Sequence, residues 1–229
     1  MKLGERLAAI AAMVPDNSRL ADIGTDHAYL PMFLLNRKTI TAAVAGELNR
    51  GPYRMAQETI KQAGLEGQIT LRLGNGLSVI APLEVDVAVI AGMGGGTIAD
   101  ILTEAPAVVD ALSQIIVQPM NAAAVVRHWF VEHDWTIYDE ALVKDDGRLY
   151  EIIAARPGIS DSFAPILYEI GPVLWCKRPP LLREHIGNLI AQSKRVLLAM
   201  GISDQARGTE KYGRYNLKIK ELELRLACL

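Results

Sequence analysis

The chain has 229 residues, half of them hydrophobic, which suffices for one well-buried α/β core with a smaller appendage and excludes a disordered tail. A net charge of −2 argues against a protein that coats nucleic acid with its whole surface, and two cysteines and four histidines outside any metal-ligand spacing give no reason to expect a metal. No apolar run approaches a membrane span, and the first residues, broken by Glu5 and Arg6, do not resemble a signal peptide, so a cytoplasmic protein is expected.

Leu3, Leu7, Ile10 and Val14 recur at helical spacing and predict an opening helix that Pro15-Asp16 ends. A strand over Arg19 to Ile23 reaches Gly24; a helix over Tyr29 to Asn36, a strand over Ile40 to Ala45 and a helix over Gly51 to Ala63 follow. Strands over Gln68 to Leu73 and Val85 to Ala91, a helix near Thr97 to Leu102, a strand over Gln114 to Gln118 and a helix over Ala122 to Glu132 continue the alternation. Short buried strands alternating with helices predict a parallel sheet covered on both faces. After Trp135 come two strands, Thr136 to Val143 and Leu149 to Ala155, with Asp146-Gly147 as a hairpin signal between them. The expected fold is therefore α/β, a Rossmann-like sheet of the class I methyltransferase kind finished by an antiparallel hairpin, where a dinucleotide dehydrogenase usually adds parallel crossovers.

Beyond Pro157-Gly158 the strand signals stop. Leu182, Ile186, Leu189, Ser193, Val196 and Met200 form one heptad stripe, and Tyr212, Tyr215, Ile219, Leu222 and Leu226 form another, so an antiparallel, coiled-coil-like helical hairpin broken by Gly201 to Gly208 is predicted. The expected domains are residues 1–158, catalytic, and 159–229, helical. From Ser160 onward basic residues outnumber acidic ones by four, and before it acids lead by six. An acidic domain carries a basic appendage.

In an open α/β sheet the ligand lies beyond the carboxyl ends of the strands, where the strand order reverses. The first strand runs into Asp22-Ile23-Gly24-Thr25-Asp26-His27-Ala28-Tyr29-Leu30-Pro31, which has the first glycine of GxGxxG and lacks the other two. A pyrophosphate would be repelled by Asp26 at this turn, whereas an ammonium and a sulfonium would be attracted by Asp22 and Asp26. The alternative is that Asp26 only caps the next helix. Glu47, 23 residues after Gly24, is placed to accept hydrogen bonds from ribose hydroxyls in either cofactor class. Asn75, in Gly74-Asn75-Gly76, can face an adenine edge, or mark a plain turn. Gly92-Met93-Gly94-Gly95-Gly96 implies backbone passing close to something flat or large, with Met93 packed on the ligand; no Gly-Lys-Ser/Thr follows, which disfavours a nucleoside triphosphate.

Taken with Gly46-Glu47-Leu48-Asn49-Arg50-Gly51-Pro52 and Gln118-Pro119-Met120-Asn121, these strand-end motifs resemble the bacterial tRNA adenine-22 N1-methyltransferase family, TrmK, and the resemblance runs through nearly the whole chain. It implies S-adenosylmethionine as cofactor, held by Asp22, Gly24, Asp26, His27, Glu47, Leu48, Asn75, Gly76, Gly92 and Met93. It implies tRNA as substrate, methylated at ring N1 of an adenine. Asp26 would then contact the adenine edge or the charge of the product ring, His27 and Tyr29 would stack on the target base, and Asn121 would bind near it; for the last three, packing or capping is the alternative. Basic tail residues (Lys177, Arg178, Arg183, Lys194, Arg195, Arg207, Lys211, Arg214, Lys218, Lys220) and Arg6 are expected to meet tRNA phosphates, unless they form only a solvated face. A monomer is expected. The rival readings are a methyltransferase acting on a small molecule or protein, an NAD-dependent oxidoreductase, and an RNA-binding module without turnover.

Overall fold

The computed structural model describes residues 2–160, 162–201 and 207–229, and the chain divides into two compact units, Met1–Asp161 and Ser162–Leu229. The first unit holds one seven-stranded sheet in the order β3-β2-β1-β4-β5-β7-β6, with β1 Ser18–Ile23, β2 Ile40–Glu47, β3 Ile69–Leu73, β4 Val87–Met93, β5 Gln114–Pro119, β6 Trp135–Asp145 and β7 Arg148–Pro157. β1 to β5 run parallel; β7 enters antiparallel between β5 and β6. This is the expected doubly wound sheet closed by a hairpin.

Alternation along the strands explains the layering. Leu20, Ala43, Ala45, Val87, Val89, Ile116, Ile152 and Ala154 share one core with Leu3, Ile10 and Val14 beside helix α1 (Glu5–Ala11), with Leu30, Leu34 and Leu35 of α2 (Tyr29–Asn36), and with Ala56 and Ile60 of α3 (Arg50–Gln62). Their neighbours along the strands, Ala21, Ile23, Val44, Ala88, Ile90, Ile115 and Val117, are buried too, and α4 (Gly95–Thr103) and the helix over Ala123–Glu132 supply Ile98, Leu102, Val126 and Phe130. Burial of both faces is why β4 and the centre of β5, Ile115 to Val117, read as unbroken apolar runs. A four-residue helix α5 (Pro106–Val109) precedes β5, and α6 (Ala123–Glu132) follows it.

Several boundaries differ from the expected ones, and those around β4 bear on the site. β4 begins at Val87, because Asp86 is spent on Arg19, accepting from its backbone N–H at 2.8 Å and from its guanidinium at 2.6 Å. At its other end β4 continues through Gly92 to Met93 by a bulge opposite β5, and α4 starts two residues early, on Gly95. The hairpin turn is only Asp146-Gly147, both at positive φ (47° and 73°), the geometry a two-residue I′ turn requires.

In the second unit, α7 (Pro165–Ile170) and α8 (Pro172–Lys177) precede the expected pair, α9 (Leu182–Met200) and α10 (Glu210–Ala227). Leu182, Ile186, Ser193, Ile219 and Leu222 of the two stripes are buried. Lys194 pairs with Glu223 at 2.6 Å, Arg178 donates to the Cys228 carbonyl at 2.8 Å and Arg207 donates to the Gly201 carbonyl at 2.8 Å. Partners that climb one helix as they descend the other make the pair antiparallel. Residues 202–206, most of the expected break between the stripes, lie outside the described residues. No helix among the described residues is long and apolar enough to cross a membrane.

Candidate functional site

Strand order reverses between β1 and β4, whose carboxyl ends therefore open the crevice where a doubly wound sheet takes its ligand. The loop after β1 is held by the neighbouring strand: the backbone N–H groups of Gly24 and Thr25 both donate to the Gly46 carbonyl, at 2.9 and 3.2 Å. Gly24 itself has φ +75° and lies against the Met93 methyl group, so the two glycine-flanked strand ends meet at this point. A side chain here would strain the backbone and would have to displace the Met93 methyl group.

Asp22 is buried and accepts the Thr25 hydroxyl at 2.5 Å. Burial pushes its pKa up to about 6; the Thr25 hydrogen bond opposes the shift and the Glu47 carboxylate adds to it. Glu47, the last residue of β2, is also buried, and its two oxygens accept from two loops, Oε1 from the Asn49 N–H at 2.9 Å and Oε2 from the Asp26 N–H at 3.4 Å. Each carboxylate oxygen retains a further lone pair for a diol.

Asp26 is not a helix cap: α2 begins at Tyr29 behind a left-handed Ala28 and has no side-chain cap. Its carboxylate is exposed, 3.7 Å from His27 Nε2, and the His27 and Tyr29 rings stack with centroids 5.1 Å apart and planes 9° apart. Asp22, Gly24, Thr25, Asp26, His27, Tyr29, Leu30 and Ala91 line one cavity of about 80 Å³ together with Leu7 and Arg6. Six of the residues singled out in the sequence, Arg6, Asp22, Gly24, Asp26, His27 and Tyr29, thus share a wall.

The remaining ones surround it in different ways. Leu48 is exposed beyond Glu47, and Leu73, paired with Glu47 in the register of β2 and β3, is exposed beside it. Asn75 is exposed and donates to Glu104 at 3.3 Å, and Gly76 sits at φ +51° against Ile101. Asn121 is exposed, its side chain beside Gly94, and its carbonyl accepts the Gly95 N–H at 3.0 Å. The glycine run is explained differently from the expectation. Gly95 is required by the protein's own backbone, since a Cβ there would strike the Ala122 carbonyl, while Gly96 faces open space.

Sequence reasoning missed two contributors, Thr25, which holds Asp22, and Leu73, which flanks Glu47, while Arg6, expected at tRNA phosphates, lines the cavity. Leu73 carried a usable signal, an apolar residue closing a strand beside a carboxylate. The place of Arg6 in the cavity carried none, because the first helix contributes no strand end.

Residues 3–153 match the family model described as "Methyltransferase domain". Over 162 residues the chain is 36% identical to the tRNA (adenine(22)-N(1))-methyltransferase of Bacillus subtilis (strain 168), which covers 71% of this chain and 68% of that protein. It resembles the Streptococcus pneumoniae structure described as a putative tRNA (m1A22) methyltransferase in complex with S-adenosyl-L-methionine, with a TM-score of 0.86 and 31% identity over 96% of this chain and 98% of that one. It likewise resembles M. capricolum TrmK bound to S-adenosyl-homocysteine, with a TM-score of 0.84 and 26% identity over 99% of both chains.

Proposed function

We infer function from one premise: the chain belongs to the tRNA (adenine(22)-N(1))-methyltransferase family. It transfers a methyl group from S-adenosylmethionine to ring N1 of an adenine in tRNA, position 22 by its family. The observation that carries the reading is the acidic turn after β1, buried Asp22 with Asp26 beyond it in one cavity wall, where a dinucleotide would bring an anionic pyrophosphate.

The residues present fit the cofactor. Asp22 and Asp26 supply negative charge for its ammonium and sulfonium, Glu47 offers both oxygens to the ribose, Leu48 and Asn75 take the adenine with Gly76 behind them, and Gly24, Gly92 and Met93 shape the floor. When bound, S-adenosylmethionine supplies an electrophilic methyl group on sulfur. Ring N1 of adenine already carries an in-plane lone pair, so the reading requires neither a strong base nor a metal. The protein's share is alignment, a contribution of up to about 7–11 kcal/mol where geometry is good. The His27–Tyr29 stack presents a flat wall for the extruded base, Asp26 faces the positive charge that the ring acquires, and Asn121 lies at the rim. With tRNA as substrate the protein acts in the cytoplasm.

Mass spectrometry of nucleosides from unmodified tRNA treated with the protein and S-adenosylmethionine tests this. Gain of 1-methyladenine at position 22 is expected. Methylation of a small molecule or protein with none on tRNA overturns the substrate, tRNA binding without turnover overturns the enzyme, and binding of NADH in place of S-adenosylmethionine overturns the cofactor.

A further inference from the structure

Arg6 is the one guanidinium among the residues lining the strand-end cavity, and it shares that wall with Asp22 and Asp26. Three contacts fix it. Its backbone N–H donates to Asp145 Oδ2 at 3.2 Å, its guanidinium lies 5.7 Å from the Tyr150 ring centroid, and Nη1 donates to Gln118 Oε1 at 2.7 Å. Gln118 is wholly buried near the end of β5, and its amide nitrogen donates to the Pro119 carbonyl at 3.0 Å, which turns its oxygen toward Arg6.

A neutral amide oxygen orients a guanidinium without cancelling its charge. Arg6 forms no ion pair with either acid of the cavity, and its other N–H groups have no acceptor among the described residues. A cation braced on a neutral strut beside two carboxylates suits a ligand that brings both signs close together, and the planar fork of arginine matches an oxyanion with two acceptor oxygens.

We propose that Arg6 is the oxyanion-binding group of this cavity and that Gln118 is the positioning residue that holds it; the proposal rests on the methyltransferase reading above. The oxyanion has two possible sources, the carboxylate at the methionyl end of S-adenosylmethionine and the phosphodiester next to the target adenine. Both meet the same fork.

The test uses the full chain and its Arg6→Gln, Arg6→Lys and Gln118→Leu variants, with calorimetric Kd values for S-adenosylhomocysteine and for 5′-methylthioadenosine, which lacks the amino-acid end, and with kcat and KM for tRNA. If the carboxylate is bound, Arg6→Gln raises the S-adenosylhomocysteine Kd at least tenfold and leaves that of methylthioadenosine unchanged. If the phosphodiester is bound, both Kd values hold and the tRNA KM rises at least fivefold. Gln118→Leu moves the same constant as Arg6→Gln by a smaller factor, and Arg6→Lys, which keeps the charge without the fork and stands in should Arg6→Gln fold poorly, falls between. Unchanged S-adenosylhomocysteine Kd and tRNA KM overturn the proposal. So does equal weakening of both nucleosides, the mark of a merely structural arginine. A wild-type chain that binds no S-adenosylhomocysteine overturns the methyltransferase reading itself.

Discussion

Asp22 shows how a candidate site residue can be both legible and costly. Like Glu47 it lies at the carboxyl end of a strand of an open sheet, so topology alone marked it. Asp22 ionises near 3.8 in an unfolded chain and at about 6 in the fold, so the folded state holds the extra proton between those values. The resulting destabilisation is absent below the lower value, grows between the two, and is complete above about 6, where it amounts to at most roughly 3 kcal/mol. Asp22→Asn is therefore expected to melt several degrees higher than the wild type at pH 7.5 without ligand, with the gap closing toward pH 4. Affinity should move the other way. The wild-type Kd for S-adenosylmethionine rises as pH falls through 6, whereas the Asn variant binds weakly at every pH; parallel curves in calorimetry would remove Asp22 from the cofactor. Glu47→Ala is expected to weaken cofactor binding more than tenfold, over about 1.4 kcal/mol, and an unchanged Kd removes it from the ribose. Thr25 escaped the sequence, and Arg6 was legible only as a cation, because what matters about them is a partner, Asp22 in one case and Gln118 in the other, that only the folded chain supplies.

At the scale of elements, the antiparallel hairpin is tied to the sheet by a buried ion triad. Arg127 of α6 is wholly buried and donates to Glu140 of β6 at 2.7 Å and to Glu151 of β7 at 2.6 Å. Burial alone would lower its pKa, but the two carboxylates outweigh that and raise it, so the charge persists. Arg127→Met removes the cation between two carboxylates, and a loss of about 3–5 kcal/mol in urea unfolding is expected; a loss under 1 kcal/mol would mean that the hairpin is held by its apolar residues. The hairpin itself was legible from Asp146-Gly147, yet the triad was not, since nothing in sequence ties residue 127 to residues 140 and 151. The bulge that carries β4 on to Met93 was hidden because periodicity ends at Gly92, and α7 and α8, six residues each, are too short to show a helical stripe.

At the scale of the whole molecule, the charge split between the two units suggests a division of labour, with cofactor chemistry in the acidic unit and tRNA affinity in the basic one. Composition revealed the split but overcounted the available cations. Lys194 is paired with Glu223 and Lys218 with Glu169 at 2.7 Å, while Arg178 lies over Trp175 and donates to a carbonyl. Arg183, Arg195, Lys211 and Lys220 are exposed and make no ion pair among the described residues, which leaves their charge to a polyanion. Reversing these four to Glu is expected to raise the tRNA KM at least tenfold and to flatten its dependence on salt, with the Kd for S-adenosylmethionine unchanged. Reversing Lys194 and Lys218 instead sets like charges against Glu223 and Glu169, so its main effect should be a lower melting temperature. Steady-state kinetics at two salt concentrations, beside thermal melts, separates the two sets. If both sets raise KM equally without touching stability, the exposed charges act as an undirected field and intramolecular pairing does not decide which of them reach RNA.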